Sequence, residues 1–108
     1  MVEDEKLFVR LYLLGKRPEN SGELIKAGYT EANGSLTEKA REFLDGFISK
    51  HKERLYQAMR DENNDIPKAM DKAGLEYYLS FLYIGEQLFR EGLFYKDEQL
   101  EFRVNVKM

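Results

Sequence analysis

Cysteine is absent from the 108 residues of this chain, and histidine occurs only once. The lack of cysteine excludes a disulfide framework, a thiolate nucleophile and a cysteine-based zinc or iron–sulfur site. Long apolar runs are also missing, because the densest apolar segment contains only nine consecutive uncharged residues, Tyr77–Gly85. A helix that spans a bilayer needs about 20 apolar residues. The sequence therefore predicts no transmembrane segment.

The charge is nearly balanced, with 17 basic and 20 acidic side chains and a net charge of −3. This balance argues mildly against broad nucleic-acid binding, which favours basic surfaces. The first residues, MVEDEKLFVR, are acidic where a signal peptide is basic, so we expect a cytoplasmic location. The length and the hydrophobic fraction of 43% predict a single α-rich domain over residues 1–108 that needs neither metal nor crosslinks.

Apolar residues recur at helical spacing along most of the chain. This spacing predicts helices over about 3–14, 21–27, 35–60 and 75–91. Another helix is expected to open at Ile66-Pro67, after DENND (61–65), which is a loop and supplies an N-cap. Gly15 is expected to end the first helix, and Gly74 is a point at which the last two can separate. Ser35 and Glu38 match a capping box at the start of the long helix. Asn33-Gly34 predicts a tight turn just before it.

The end of the chain changes to a two-residue period, which is typical of a half-buried strand. Its apolar positions are Leu100, Phe102, Val104 and Val106. Residues 93–95 are expected to form its hairpin partner across the turn KDEQ. The predicted fold is therefore mainly α, with four or five helices packed around a central apolar helix and a small C-terminal β-hairpin or strand.

Residues 24–44 resemble the wing and following helix of winged-helix regulators. The matching positions are Leu24, Gly28, Tyr29, Leu36, Thr37, Lys39, Arg41 and Leu44, with Ala40 where that family usually has glycine. The resemblance implies a DNA-binding transcriptional regulator whose recognition helix enters the major groove. The nucleic-acid contacts on this interpretation are Lys39, Arg41, Lys50 and Arg54. The acids at the start and bases at the end of the long helix are equally explained by the helix macrodipole.

No pattern in the sequence indicates a catalytic or cofactor site. His51 lies on an apolar stripe between Ile48 and Leu55 without a neighbouring nucleophile, so we expect a structural histidine. The Glu-x-x-His pairs of carboxylate metal sites are absent, as are glycine-rich phosphate loops. We therefore expect no enzyme activity, no metal and no cofactor.

The segment 75–94 is apolar around most of its circumference, and eight of the fourteen aromatic residues lie within 77–102. Such a helix is either the centre of the core or divided between core and a partner surface. On the second interpretation the partner interface consists of Tyr77, Tyr78, Phe81, Ile84, Leu88, Phe94, Phe102 and Val104. The predicted function is a small non-enzymatic protein-interaction or regulatory module that self-associates, as a homodimer, or binds a larger protein through residues 75–106. The alternatives are the winged-helix regulator and an accessory or inhibitor protein from a virus or mobile element.

Overall fold

The structure is a computed structural model that describes residues 2–105. It contains five helices and two strands. The helices are α1 (Val2–Lys16), α2 (Gly22–Lys26), α3 (Glu38–Asp61), α4 (Ile66–Ala73) and α5 (Tyr78–Arg90); the strands are β1 (Phe94–Lys96) and β2 (Phe102–Val104). The predicted fold class, mainly α with a C-terminal β-hairpin, is confirmed.

The chain divides into two compact units, Met1–Phe47 and Ile48–Met108. Helix α3 begins in the first unit and continues into the second. The prediction of one domain over the whole chain stays a prediction.

The core of the first unit is built on the apolar face of α1. Phe8, Leu11 and Leu14 are buried, and the Phe8 ring stacks on the Phe47 ring with centroids 4.2 Å apart. The expectation that Gly15 ends α1 is wrong, because the helix continues to Lys16. Glycine lowers helix stability without removing a backbone donor, so one glycine does not stop a helix that is held by packing.

The predicted turn at Asn33-Gly34 is confirmed. Gly34 adopts a left-handed φ of +87°, and the backbone N–H of Glu31 donates a 2.8 Å hydrogen bond to the carbonyl of Ser35. An isolated antiparallel bridge between residues 30 and 36 closes the turn. This bridge holds the segment before α3 in an extended conformation.

The helix cap of α3 differs from the predicted capping box. The Thr37 hydroxyl, not that of Ser35, accepts from the backbone N–H of Ala40 at 3.3 Å. The same hydroxyl donates to the carbonyl of Gly28 at 2.6 Å. The N–H of Ser35 is bound to the side chain of Asn33 in the turn. Because the bridge delays the helix start to Glu38, the capping position falls on Thr37.

Helix α5 begins three residues later than predicted, at Tyr78 rather than Leu75. Gly74 ends α4 with a left-handed φ of +76°, and the N–H of Leu75 reaches back to the carbonyl of Met70. This arrangement is a Schellman motif, in which the apolar residue after the glycine packs against the helix end. Leu75 is accordingly buried, outside any helix.

The two strands pair in antiparallel register, with Phe94 opposite Val104. Phe102 and Val104 are buried as the alternation predicts, but Leu100 is 77% exposed and lies in the turn with a φ of +63°. Val106 lies outside the described residues. Asp97 organises the turn: its carboxylate accepts the N–H groups of Glu101 and Gln99 and the guanidinium of Arg103. The Glu101 hydrogen bond is the main reason that the pKa of Asp97 lies below its usual value.

Candidate functional site

Six of the eight predicted interface residues are buried in the core of the second unit, which corrects their assignment to a surface. They are Phe81, Ile84, Leu88, Phe94, Phe102 and Val104. The hairpin explains the difference, because it packs on α5. The Phe102 ring lies 6.1 Å from the Phe81 ring and 5.8 Å from the Phe94 ring. The chain therefore covers these side chains itself.

The remaining two predicted interface residues lie at the start of α5. Tyr77 is half-buried, and Tyr78 is 50% exposed. Leu79 and Phe89 are also exposed on this helix. An apolar surface therefore remains on α5 after the hairpin is in place.

Tyr78 belongs to a groove of about 590 Å³ between α4, the connector 74–77, the start of α5 and the hairpin turn. Its apolar floor consists of Ile66, Pro67, Met70, Leu75 and Tyr78. Its rim carries three carboxylates, Asp71, Glu76 and Glu101. We call these eight residues the acidic groove.

The local structure of α4 explains why large apolar side chains lie outside. Asp65 caps the helix, as predicted, by accepting the N–H of Lys68 at 3.2 Å. The buried positions of α4 are the small residues Ala69 and Ala73. The larger Ile66 and Met70, one turn apart, line the groove instead. The sequence signal for this surface is a helix with alanines on its inner face and two long apolar residues on its outer face. The sequence-based prediction missed this signal.

One lysine of α4, Lys72, is engaged with acids outside the acidic groove. The Lys72 ammonium lies 3.3 Å from carboxylate oxygens of both Asp61 and Glu62. These hydrogen bonds raise the pKa of Lys72. The Arg103 guanidinium lies 3.0 Å from Glu101 and also binds Asp97. The carboxylates at Asp71 and Glu76 both lie on exposed residues.

A second groove, of about 700 Å³, lies in the first unit beside α1 and the loop that follows it. Three basic residues line it, Arg10, Lys16 and Arg17, together with Leu13 and Leu14. This second groove is mainly basic, whereas the acidic groove carries carboxylates. Leu13 is 45% exposed at its edge.

The structure does not gather the predicted nucleic-acid contacts into one surface of either unit. Lys39 and Arg41 are separated by about 200° around α3, since each helical residue turns by about 100°. The Lys39 ammonium is bound to the carbonyl of Ala27 at 2.6 Å and lies over the Tyr29 ring. Lys50 and Arg54 are exposed, one turn apart, in the second unit. Winged-helix DNA binding stays a prediction.

His51 is buried, with 6% of its surface exposed. Burial is the main reason that the pKa of His51 lies below its usual value of 6.5, and the neighbouring charges of Lys50 and Arg54 lower it further. Over residues 2–105 no three histidine or acidic side chains group closely enough to hold a metal ion. No helix in the described part of the chain has the length and apolarity to cross a bilayer.

The chain matches no known protein family, no curated protein and no solved structure.

Proposed function

We propose that this protein is a non-enzymatic interaction or regulatory module that binds a basic, apolar segment of a polypeptide in the acidic groove. The observation that carries this proposal is the combination of a half-exposed Tyr78 with an apolar floor and a carboxylate rim. The contacts Lys39, Arg41, Lys50 and Arg54 that the winged-helix alternative needs do not share one surface of either unit.

The apolar floor supplies the binding energy in this proposal. Burial of apolar surface contributes about 25 cal/mol per Å². Ile66, Met70 and Tyr78 come from three different turns of two helices, so they present a continuous surface that a flexible loop does not. Tyrosine is enriched among the residues that dominate binding energies, because its ring is large and loses little conformational freedom.

The carboxylate rim supplies selectivity. Asp71 and Glu76 attract lysine and arginine side chains and repel acidic segments, and such rim charges act mainly on association rate and partner choice. This surface is open rather than enclosed, which suits a polypeptide segment better than a small molecule. A helix with apolar residues at one face and basic residues on either side fits both features.

The test is a titration of the protein into a fluorescently labelled, short helical peptide of leucine and lysine, followed by anisotropy. We expect saturable binding at physiological salt. The groove variant Asp71→Lys/Glu76→Lys should weaken it by about tenfold or more, which corresponds to about 1.4 kcal/mol. Tyr78→Ala should weaken it at unchanged net charge.

The matched control is Glu31→Lys/Glu53→Lys, which reverses two exposed acids outside the groove and changes the net charge equally. This variant should bind the peptide as the wild type does. Equal loss of binding in both double variants would mean that overall charge attracts the peptide, and absence of binding by the wild type would contradict the proposal.

A further inference from the structure

The outward face of α1 carries a stripe of basic residues around one leucine. Lys6, Arg10, Leu13 and Arg17 are spaced by four, three and four residues and are all exposed. This spacing places them on one side of a helix. The backbone N–H of Arg17 still bonds to the carbonyl of Leu13, so Arg17 continues the last turn. We call these four residues the basic ridge.

The buried side of α1 explains why the basic ridge is presented to solvent. Phe8, Leu11 and Leu14 anchor the helix in the core of the first unit, with Phe8 stacked on Phe47. Arg10 and Leu13, which lie between these anchors, are exposed. Leu13 lies in the middle of this outward face with 45% of its surface exposed.

We propose that the segment received by the acidic groove is the basic ridge of a second copy of this chain. This inference rests on the proposed function and names its partner. The two surfaces are complementary in charge, because the ridge carries three cations and the groove carries the exposed acids Asp71 and Glu76.

Leu13 is the apolar anchor of this contact. It enters the floor formed by Ile66, Met70 and Tyr78, while Arg10 and Arg17 on either side reach the rim carboxylates. From Lys6 to Arg17 the stripe is about 16 Å long at about 1.5 Å per residue, the length of a short helix-in-groove contact. The amphipathic segment that the groove requires is thus present in the chain itself.

The ion pair that Arg10 makes leaves the charge of its guanidinium largely exposed. Arg10 lies 3.7 Å from the carboxylate of Glu23, but both side chains are strongly exposed, so this pair is weak. Arg10 also donates to the hydroxyl of Ser21 at 3.1 Å, which orients the guanidinium without changing its charge. The cation remains available for a carboxylate of a second copy.

The contact joins two different surfaces of the same chain. Association of this kind weakens as salt rises, because screening reduces the attraction between exposed charges.

The test is sedimentation of two charge-reversal variants, alone and mixed. The ridge variant is Arg10→Glu/Arg17→Glu, and the groove variant is Asp71→Lys/Glu76→Lys. We expect the wild type to self-associate beyond the chain mass of 12.7 kDa in a salt-dependent equilibrium. Each variant alone should weaken association by about tenfold to a hundredfold, since like charges then face each other.

The mixture of the two variants is the decisive sample. The native pairing of cations with carboxylates is restored between them, so a mixed dimer should form with affinity close to that of the wild type. The variant Glu31→Lys/Glu53→Lys should self-associate normally. Thermal unfolding verifies that each variant is folded. If the ridge or groove variant does not fold, Leu13→Ser or Tyr78→Ala takes its place, since both positions are exposed.

A wild type that stays monomeric at high micromolar concentration, or a mixture that stays monomeric, would overturn the inference. If the monomeric wild type still binds the leucine–lysine peptide in the groove, the second copy is the wrong partner and the proposed function stands. If it binds neither, the proposed function fails as well.

Discussion

The backbone N–H of Val104 donates a 2.9 Å hydrogen bond to the side-chain oxygen of Asn64, forty residues earlier in the chain. The carbonyl of Asn64 accepts a second bond, from Arg103 at 3.1 Å. Asn64 itself has a left-handed φ of +66° after the end of α3. One residue therefore ties the C-terminal hairpin, which covers α5, to the α3–α4 loop.

We expect Asn64→Ala to lower the free energy of unfolding by about 2 to 3 kcal/mol, from the lost hydrogen bond and from the left-handed conformation that alanine disfavours. Asn64→Gly accepts that conformation and should cost only about 1 kcal/mol. Urea denaturation measures both. Equal losses in the two variants would show that the side-chain hydrogen bond alone matters.

Gly85 is the point of closest approach between α5 and the hairpin. A Cβ added there would lie 2.7 Å from the Phe102 ring, whose surroundings are buried. We expect Gly85→Ala to destabilise the protein by about 1 to 3 kcal/mol through overpacking. Gly46→Ala on α3 is the control, because a Cβ added at this position would have nothing within 4 Å. It should raise stability by about 0.5 to 1 kcal/mol, and a loss there would contradict this description of α3.

The start of α3 provides a direct comparison between the predicted and observed caps. Thr37→Ala removes the hydroxyl that binds both Ala40 and Gly28 and should cost about 1 to 2 kcal/mol. Ser35→Ala should change stability by less than about 0.5 kcal/mol, since its hydroxyl does not cap the helix. Thermal denaturation distinguishes the two variants. A larger loss of stability in Ser35→Ala than in Thr37→Ala would support the predicted capping box instead.

His51 predicts a pH dependence of stability. Its pKa in the folded protein is lowered, mainly by burial, so the unfolded chain binds the proton more readily. The stability contributed by neutral His51 is therefore complete above about pH 6.5 and is lost as the pH falls from there toward the folded pKa. Denaturation between pH 7 and pH 5 should show this decline in the wild type and not in His51→Gln. The shifted carboxyl groups titrate below this window, because their pKa values are lowered from 3.8 and 4.5.

Local patterns in the sequence predicted the elements well where one residue decides the outcome. The turn at Asn33-Gly34, the cap at Asp65 and the alternation at Phe102 and Val104 are all confirmed. Leu100 fits the same alternation but lies in the turn. The Asp97 carboxylate accepts the N–H of Glu101, so the turn extends through Leu100 and strand β2 begins only at Phe102. Periodicity alone does not locate that closure.

The candidate site was harder to predict because it depends on which face the chain covers itself. The apolar stripes of α5 are real, yet Phe81, Ile84 and Leu88 are buried within the second unit, whereas Tyr78, Leu79 and Phe89 stay exposed. The acidic groove needs the non-helical connector after Gly74, which sets Tyr78 beside α4. The position of one element relative to another does not follow from the apolar periodicity of either element.

The most direct measurement of the docking surface is methionine methyl NMR with the leucine–lysine peptide. Met70 lines the acidic groove, whereas Met59 is fully buried in the core of the same unit. If the groove is the binding surface, the Met70 signal moves as peptide is added and saturates while the Met59 signal stays in place. A Met70 signal that does not move at saturating peptide, or that moves no more than Met59, would contradict the account.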